Sequence, residues 1–309
     1  MYFLFIALTY SLKNVLSNQE LYYVENCVIK NMNSTTTGGA FNIDRNGCNM
    51  TILRCGFSNC SCKDQGGAIC VRNSFEIVIK STCFLKCQGG AGPSYVLWAN
   101  GNNLLYSTMN FTDESYPSSS GHSSWFAGLQ GVNFYNNNNS NSITTGFAGG
   151  ITLSKSFKSY FGSYNQVCNT NSKCFICFSY QDNSINRKIT HFNFINNTVS
   201  VAWIQIHEGE SIILLESCVM SKNTNIKALD YSTNGKGSLT MLSCTFDFSP
   251  TSQPSVQIIS SAINSPPNTI QLMLQNTQIC WDDATLLLTY QNSRNYELSY
   301  SYLLLLIAQ

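Results

Sequence analysis

Residues 50–92 state one short message twice. An alternating apolar run leads to a Phe, a few polar residues follow, and Gly-Gly-Ala closes the unit. Met50, Ile52 and Phe57 match Ile77, Ile79 and Phe84. Gly66-Gly67-Ala68 matches Gly89-Gly90-Ala91, and a third copy lies upstream at Gly38-Gly39-Ala40. A repeat of this length, with period-2 alternation and no helical spacing, leaves few folds open. One unit cannot bury its own apolar face, whereas stacked units that pair their strands in parallel bury a continuous interior column. Gly-Gly-Ala suits the corners of such a coil, where the chain turns sharply and glycine takes positive φ at little cost.

Counting the Phe as position 0, apolar residues recur seven and five places before Val28, Phe57, Phe84, Phe111, Phe134, Val219, Phe246 and Ile279. Phe194 heads a weaker copy, with Ile189 in place but Arg187 where an apolar residue is expected. The pattern points positions −7, −5 and 0 inward and predicts about eleven coils at ~4.8 Å each. Two of them fall between Phe134 and Phe194, where the spacing gives no phase. Cys55 and Cys244, both at −2, should line the interior as small apolar residues. Residues 18–309 read as one domain. Its Ser-, Asn- and Gly-rich runs within 112–190, such as 118–120 and 136–139, read as loop-rich insertions and not as a boundary.

Charged residues are 11% of the chain, against about 25% in an average soluble protein, and Asn, Ser and Thr supply the polarity. Aromatics at 12% and apolars at 43% are too many for a disordered chain. A net charge of +1 with no basic cluster gives no electrostatic case for nucleic acid. Fourteen cysteines are many for a reducing compartment. Sequons begin at Asn33, Asn49, Asn59, Asn110, Asn138 and Asn196, as glycosylation candidates or as chance products of an Asn/Ser/Thr-rich chain. By phase, Asn49 and Asn110 should point to solvent, and Asn59 and Asn196 should sit where the chain turns. Residues 1–17 open on a short apolar core that resembles a signal peptide without its usual basic start; a buried first strand is the alternative. Together these features favour an extracellular or cell-surface protein. No other segment approaches the ~20 apolar residues of a membrane-spanning helix. The apolar run at 302–307 reads as a final strand or as the beginning of an anchor.

Gly-Gly-Ala followed by alternating apolars, interleaved with a Phe-x-x-Asn-like element, resembles the repeats of polymorphic outer membrane proteins. It is similar also to polymorphic-membrane-protein-like surface families of parasitic protists such as trichomonads. The glycine element reads GGAF, GGAI and GGAG within 38–92; the Phe element reads FSNC at Phe57, FLKC at Phe84, FYNN at Phe134 and FINN at Phe194. The resemblance implies a right-handed parallel β-helix of the pectin-lyase-like kind and a surface or secreted role, often adhesive.

Such helices also carry polysaccharide-cleaving enzymes, so the acids matter. Glycoside hydrolysis needs two carboxylates about 5–9.5 Å apart. The adjacent pair Asp282-Asp283 stands without the Asn-Thr-Asp and Arg-Ile-Lys elements of a polygalacturonase-like site, and Gly121-His122-Ser123 precedes it. A solvated turn is the plainer reading. Asp44, Asp64 and Asp113 are scattered, which turn propensity explains without Ca²⁺. Cys168, Cys174 and Cys177 with His191 loosely suggest zinc, but one C-x-x-C without a second pair is a weak signal. No catalytic, metal or cofactor-binding residue is assigned. Cys60 and Cys87 each lie three places past an anchor in consecutive coils, where ~4.8 Å spacing falls inside the disulfide window of about 4.4–6.8 Å. They are the disulfide candidate.

The expected function is a non-enzymatic, secreted or surface β-helix that binds a host-cell or matrix protein or a glycan through displayed loops. The alternative is a carbohydrate-active enzyme with an unrecognised site. Clustered acids with a basic residue on one sheet would favour the enzyme. A face of Asn, Ser, Thr and aromatics would favour the binding module.

Overall fold

Alternating apolar and polar residues, bounded by Asn, Ser and Gly, give strands of period 2 in which one side chain of every two can be buried. The computed structural model describes residues 10–13, 20–25, 27–92, 95–108, 111–113, 116–117, 124–127, 131–140, 148–154, 158–167, 173–181, 186–224 and 227–264. Among them are β-strands and no helix. The strands stack in parallel as a β-solenoid. The exception is Tyr10–Lys13, which pairs antiparallel with Glu20–Glu25, Tyr10 opposite Tyr23. Residues 1–9 and 14–19 of the candidate signal region lie outside the described residues.

Each coil runs through the same stations. A first sheet carries positions −7 and −5, a short second sheet carries position 0, and a third sheet follows the glycine corner. The −5 column passes through Val24, Ile52, Ile79, Ser107, Phe134, Phe161, Ile189, Leu215, Met241 and Ile258. The position-0 column passes through Ile29, Phe57, Phe84, Thr112, Asn139, Gln166, Phe194, Met220 and Phe246, in steps of 26 to 28 residues. The third sheet aligns Phe41, Ile69, Tyr95, Ser124, Ile151, Ile176, Ile204 and Leu229. Interior residues such as Ile52, Phe84, Ile206, Leu215 and Phe246 are fully buried. Rings stack along the column: Phe57 lies 5.2 Å from Phe84, and Trp203 5.8 Å from Phe246.

Two turns recur in left-handed conformation. At −3, Arg54, Ser81, His191, Ser217 and Ser243 have φ of 49 to 59°; at +2, Asn31, Asn59, Lys86, Asn196 and Lys222 have φ of 52 to 56°. A non-glycine residue there is uncommon, and its recurrence at fixed stations makes it a property of the coil. At the third corner the conformation is carried by Gly38, Gly66 and Gly92, with φ of 60 to 70°. A Cβ on Gly66 would meet the Ile69 carbonyl oxygen at 2.1 Å.

This register corrects several anchors. Ile29, not Val28, opposes Phe57; Thr112, not Phe111, opposes Phe84; Met220, not Val219, opposes Phe246. Ile213 is accordingly buried while Ile212 is 46% exposed. Phe134 belongs to the −5 column, opposite Ser107 and Phe161. Around Val28, Phe134 and Val219 apolar residues sit on both parities, so alternation alone does not choose the inward one; at Phe111 the apolar residue is not the one in register. With Asn139 at position 0, one coil, centred on Gln166, separates it from Phe194. Gly89-Gly90-Ala91 is also out of phase: Ala91 bridges Gln65, and Gly92 takes the place of Gly66. The run 136–139, read as a loop, lies inside the strand Gly131–Ser140. Asn disfavours strands by propensity, but pairing to coils on both sides overrides it. Ile279 lies outside the described residues.

Candidate functional site

A stacked coil offers its outward side chains in columns, so each sheet presents one outer face to any partner. The third sheet closes the middle of its own: its outward column holds Cys70, Val96, Thr152, Cys177 and Gln205, all at most 4% exposed, between an exposed Asn42 and a half-buried Asp230. Burial pushes the Cys70 thiol up to about 11, and it also raises that of Cys174, beside Cys177. Polar groups at the end of this face pair between coils. Gln205 Nε2 donates to Asp230 Oδ2 at 3.2 Å, and Lys227 pairs with Asp230. His207 Nδ1 lies 3.0 Å from Ser232 Oγ, with Glu208 Oε1 at 3.9 Å from Nε2. His207 opposes Ser232 in register, as Gln205 opposes Asp230. These contacts therefore follow from stacking.

The first sheet keeps its outer face open. Its −6 column holds Tyr23, Thr51, Val78, Lys188, Leu214, Thr240 and Gln257, each half-buried or exposed. Register places Tyr106, Asn133 and Tyr160 in the same column. The flanking columns add Leu53, Leu242 and the exposed Ile212 and Ile259. Two of the acids on this face, Glu25 and Glu216, are held, and Glu76 stands beside them in the −8 column. Glu25 pairs with Arg54 and accepts a hydrogen bond from Tyr23 Oη at 2.7 Å; Glu216 lies 2.6 Å from Lys188 Nζ. Glu25 and Glu216 share the −4 column but are tens of ångströms apart at ~4.8 Å per coil, beyond the two-carboxylate separations of glycoside hydrolysis. The face offers an aromatic, aliphatic and hydroxyl surface with tethered charges.

The individual candidates distribute as follows. Cys60 and Cys87 are both buried thiols in consecutive coils, and the backbone N–H of Gln88 donates to the Cys60 carbonyl at 2.9 Å. Asn33, Asn59 and Asn196 are exposed. Asn49, expected to face solvent, is half-buried with its Oδ1 enclosed, at the start of the strand Asn49–Leu53 and between Leu21 and Glu76 of the neighbouring coils. Asn138 lies in the strand Gly131–Ser140. Asn110 lies outside the described residues, as do His122, Cys168, Asp282 and Asp283. Cys174 and Cys177 are buried on the third sheet while His191 is exposed at a −3 turn. Among the described residues no group of three or more His, Cys, Asp or Glu could hold a metal ion. Asp44 accepts from Asn73 Nδ2 at 2.6 Å. Among the described residues no helix is long and apolar enough to cross a membrane.

Sequence reasoning missed Tyr23, Val78, Lys188 and Leu214 as one surface. The signal was present: they sit one place past the −7 residues, once the phase is right. Comparison with family models, with curated proteins and with solved structures returns no match.

Proposed function

We propose that this chain is a non-enzymatic binding module of the extracellular space or cell surface. In this reading it is a right-handed, pectin-lyase-like β-helix of about eleven coils, similar to polymorphic-membrane-protein-like surface proteins. The observation that carries the reading is the open outer face of the first sheet. Tyr23, Thr51, Val78, Leu214 and Thr240 recur there at coil spacing, and Glu25 and Glu216 are tied to Arg54 and Lys188. Aromatic and aliphatic groups with hydroxyls between them suit a glycan or a protein surface. Scattered single apolar residues would need no such explanation, but a column of them along one sheet does.

Export fits the fourteen cysteines and the exposed sequons Asn33, Asn59 and Asn196. Cleavage near residue 17 would also remove the antiparallel strand Tyr10–Lys13. Peptide mass spectrometry on natively produced protein tests this part. A new N-terminus near 18 with glycosylated sequons is expected; an intact Met1 with bare asparagines would overturn export. Binding is tested by probing a glycan array and immobilised matrix proteins with the purified chain and with the variant Val78→Glu/Leu214→Glu. Binding lost in the variant is expected. Depolymerisation of any polysaccharide by the unmodified chain would favour the carbohydrate-active alternative.

A further inference from the structure

The solenoid brings cysteines together in isolated twos. At −2, Cys27 opposes Cys55 and Cys218 opposes Cys244, by continuation of the pairings of Val28 with Gly56 and Val219 with Thr245. At +3, Cys60 opposes Cys87, next to the pairing of Ser61 with Gln88. All six side chains are at most 3% exposed, and in each two the neighbouring thiol helps to raise the pKa of its partner, Cys55, Cys87 or Cys218. The columns then end. The next −2 residue after Cys55 is Thr82, the one before Cys218 is Phe192, and the one after Cys244 is Ser261, whose Oγ accepts from the Cys244 N–H at 3.0 Å. Before Cys60 at +3 stands Met32, whose carbonyl accepts from Ser61. Among the described residues each of the six therefore has one cysteine beside it in its column, its partner, and the next places are taken by Thr82, Phe192, Ser261 and Met32.

We propose that Cys27 with Cys55, Cys60 with Cys87, and Cys218 with Cys244 are sites of disulfide formation that staple consecutive coils. Coil spacing of about 4.8 Å lies within the Cα separation a disulfide accepts. The chemistry is thiol–disulfide exchange with a small disulfide such as oxidised glutathione. A thiolate attacks its sulfur and releases one reduced glutathione; the partner thiolate then attacks the mixed disulfide and releases the second. Two thiol protons leave, two electrons pass to glutathione, and one S–S bond is made for one broken. The folded coil buries both thiols and burial holds Cys87 and Cys218 well above the ordinary thiol range, so exchange takes place while the coils close. The proposal does not rest on the binding reading, and either can fail alone.

The test refolds the full chain from denaturant in a buffer of reduced and oxidised glutathione. The soluble fraction is alkylated under denaturing conditions and its non-reduced digest mapped by mass spectrometry. Three linked peptide pairs with the stated connectivity are expected, each lighter by two hydrogens than the thiol forms. Alkylation of all six, or pairing across columns, overturns the proposal. Cys55→Ser provides a second reading. It should leave Cys27 alkylatable and the other two bridges unchanged, whereas capture of Cys27 by another cysteine would show that the columns do not dictate pairing. Secretory expression of the same chain, mapped in the same way, serves if refolding yields no soluble protein.

Discussion

The coils around Phe57 and Phe84 and the coils around Phe194, Met220 and Phe246 have one backbone and two chemistries. Both turn at −3 and +2 with left-handed φ near 50–59°. Both place thiols at −2 within reach of the −5 carbonyl of the preceding coil, Cys55 of Val24, Cys218 of Ile189 and Cys244 of Leu215, with the −4 carbonyl of their own coil closer. They part at +3. In the early coils the Cys60 thiol lies between the Ile29 and Ser58 carbonyls, at 3.7 and 3.6 Å, and the Cys87 thiol between the Phe57 and Leu85 carbonyls, at 3.7 and 3.6 Å. In the late coils Asn223 Nδ2 donates to the Phe194 carbonyl at 2.9 Å, and its Oδ1 accepts from the Asn197 N–H at 3.0 Å. In these coils the +3 side chain reaches the preceding position-0 carbonyl. Cysteine and asparagine are two ways to reach it, and the asparagine supplies an acceptor as well.

The corners differ too. Early coils turn at Gly38 and Gly66, with Ala40 and Ala68 following; in the late coils the place of Ala68 is taken by Trp203, fully buried against Phe246 and Phe248. A large ring there replaces a tight backbone approach. The late interior also absorbs Arg187 at −7, 1% exposed, with Nη1 donating to Ser211 Oγ at 3.1 Å and its guanidinium 5.4 Å from the Phe178 ring. Burial lowers its pKa to about 10, so it stays charged at neutral pH.

The largest effects should come from the shared column. Phe84→Ala removes a ring between Phe57 and Tyr95 and should cost about 3–5 kcal/mol. Phe246→Ala should cost as much, because Trp203 and Phe248 both lose a ring that they pack against. Denaturant melts would check both. A cost near zero at either position would show that the coils there do not share one packed column.

The +3 station gives the sharper test. Asn223→Ala leaves the Phe194 carbonyl and the Asn197 N–H without this partner, at about 1–3 kcal/mol. Cys60→Ala removes a weak S–H donor and should cost less in the reduced protein. Asn223→Cys should recover part of the loss, and equal melts for Asn223→Cys and Asn223→Ala would break the claimed equivalence.

How much of this was readable follows from the same stations. The period, the inward −7, −5 and 0 positions and the buried Cys55 and Cys244 were legible, because hydrophobic alternation and repeat length are local signals. The phase slipped by one at Val28 and Val219, where the neighbouring residues are apolar, and at Phe111, where the polar Thr112 takes the anchor's place; only the partner coil decides. Arg187 looked like a defect in the pattern; its aliphatic stem, Ser211 and the Phe178 ring let it fill the column, which spacing could not show. The open face of the first sheet depended on the corrected phase, and the closed face of the third on tertiary cover.

The buried thiols predict an alkaline limit for the reduced protein. Cys70, raised by burial to about 11 from an ordinary value near 9, favours the fold fully below pH 9. Between 9 and 11 the unfolded chain releases its proton first, so stability falls as pH rises. Cys87 and Cys218 shift in the same direction, burial being the largest cause. Melting midpoints should decline through this window in reduced protein. They should decline less once Cys87 and Cys218 are bridged, since a disulfide does not titrate. A flat profile in reduced protein would mean that these thiols are hydrated.

The smallest effects belong to the surface pairs, one in each set of coils. Arg54 with Glu25 and Lys188 with Glu216 have cations 57% and 50% exposed, so Arg54→Ala and Lys188→Ala should each shift stability by less than about 1 kcal/mol. Their use on the open face is to hold the glutamates, and that has a different signature. If the face binds a neutral glycan or an apolar protein patch, freeing Glu216 should weaken binding and make it salt-dependent while the melt stays put. Equal loss of binding and of melting temperature would instead place Lys188 in the fold, and the late coils would then depend on a surface charge that the early coils do not.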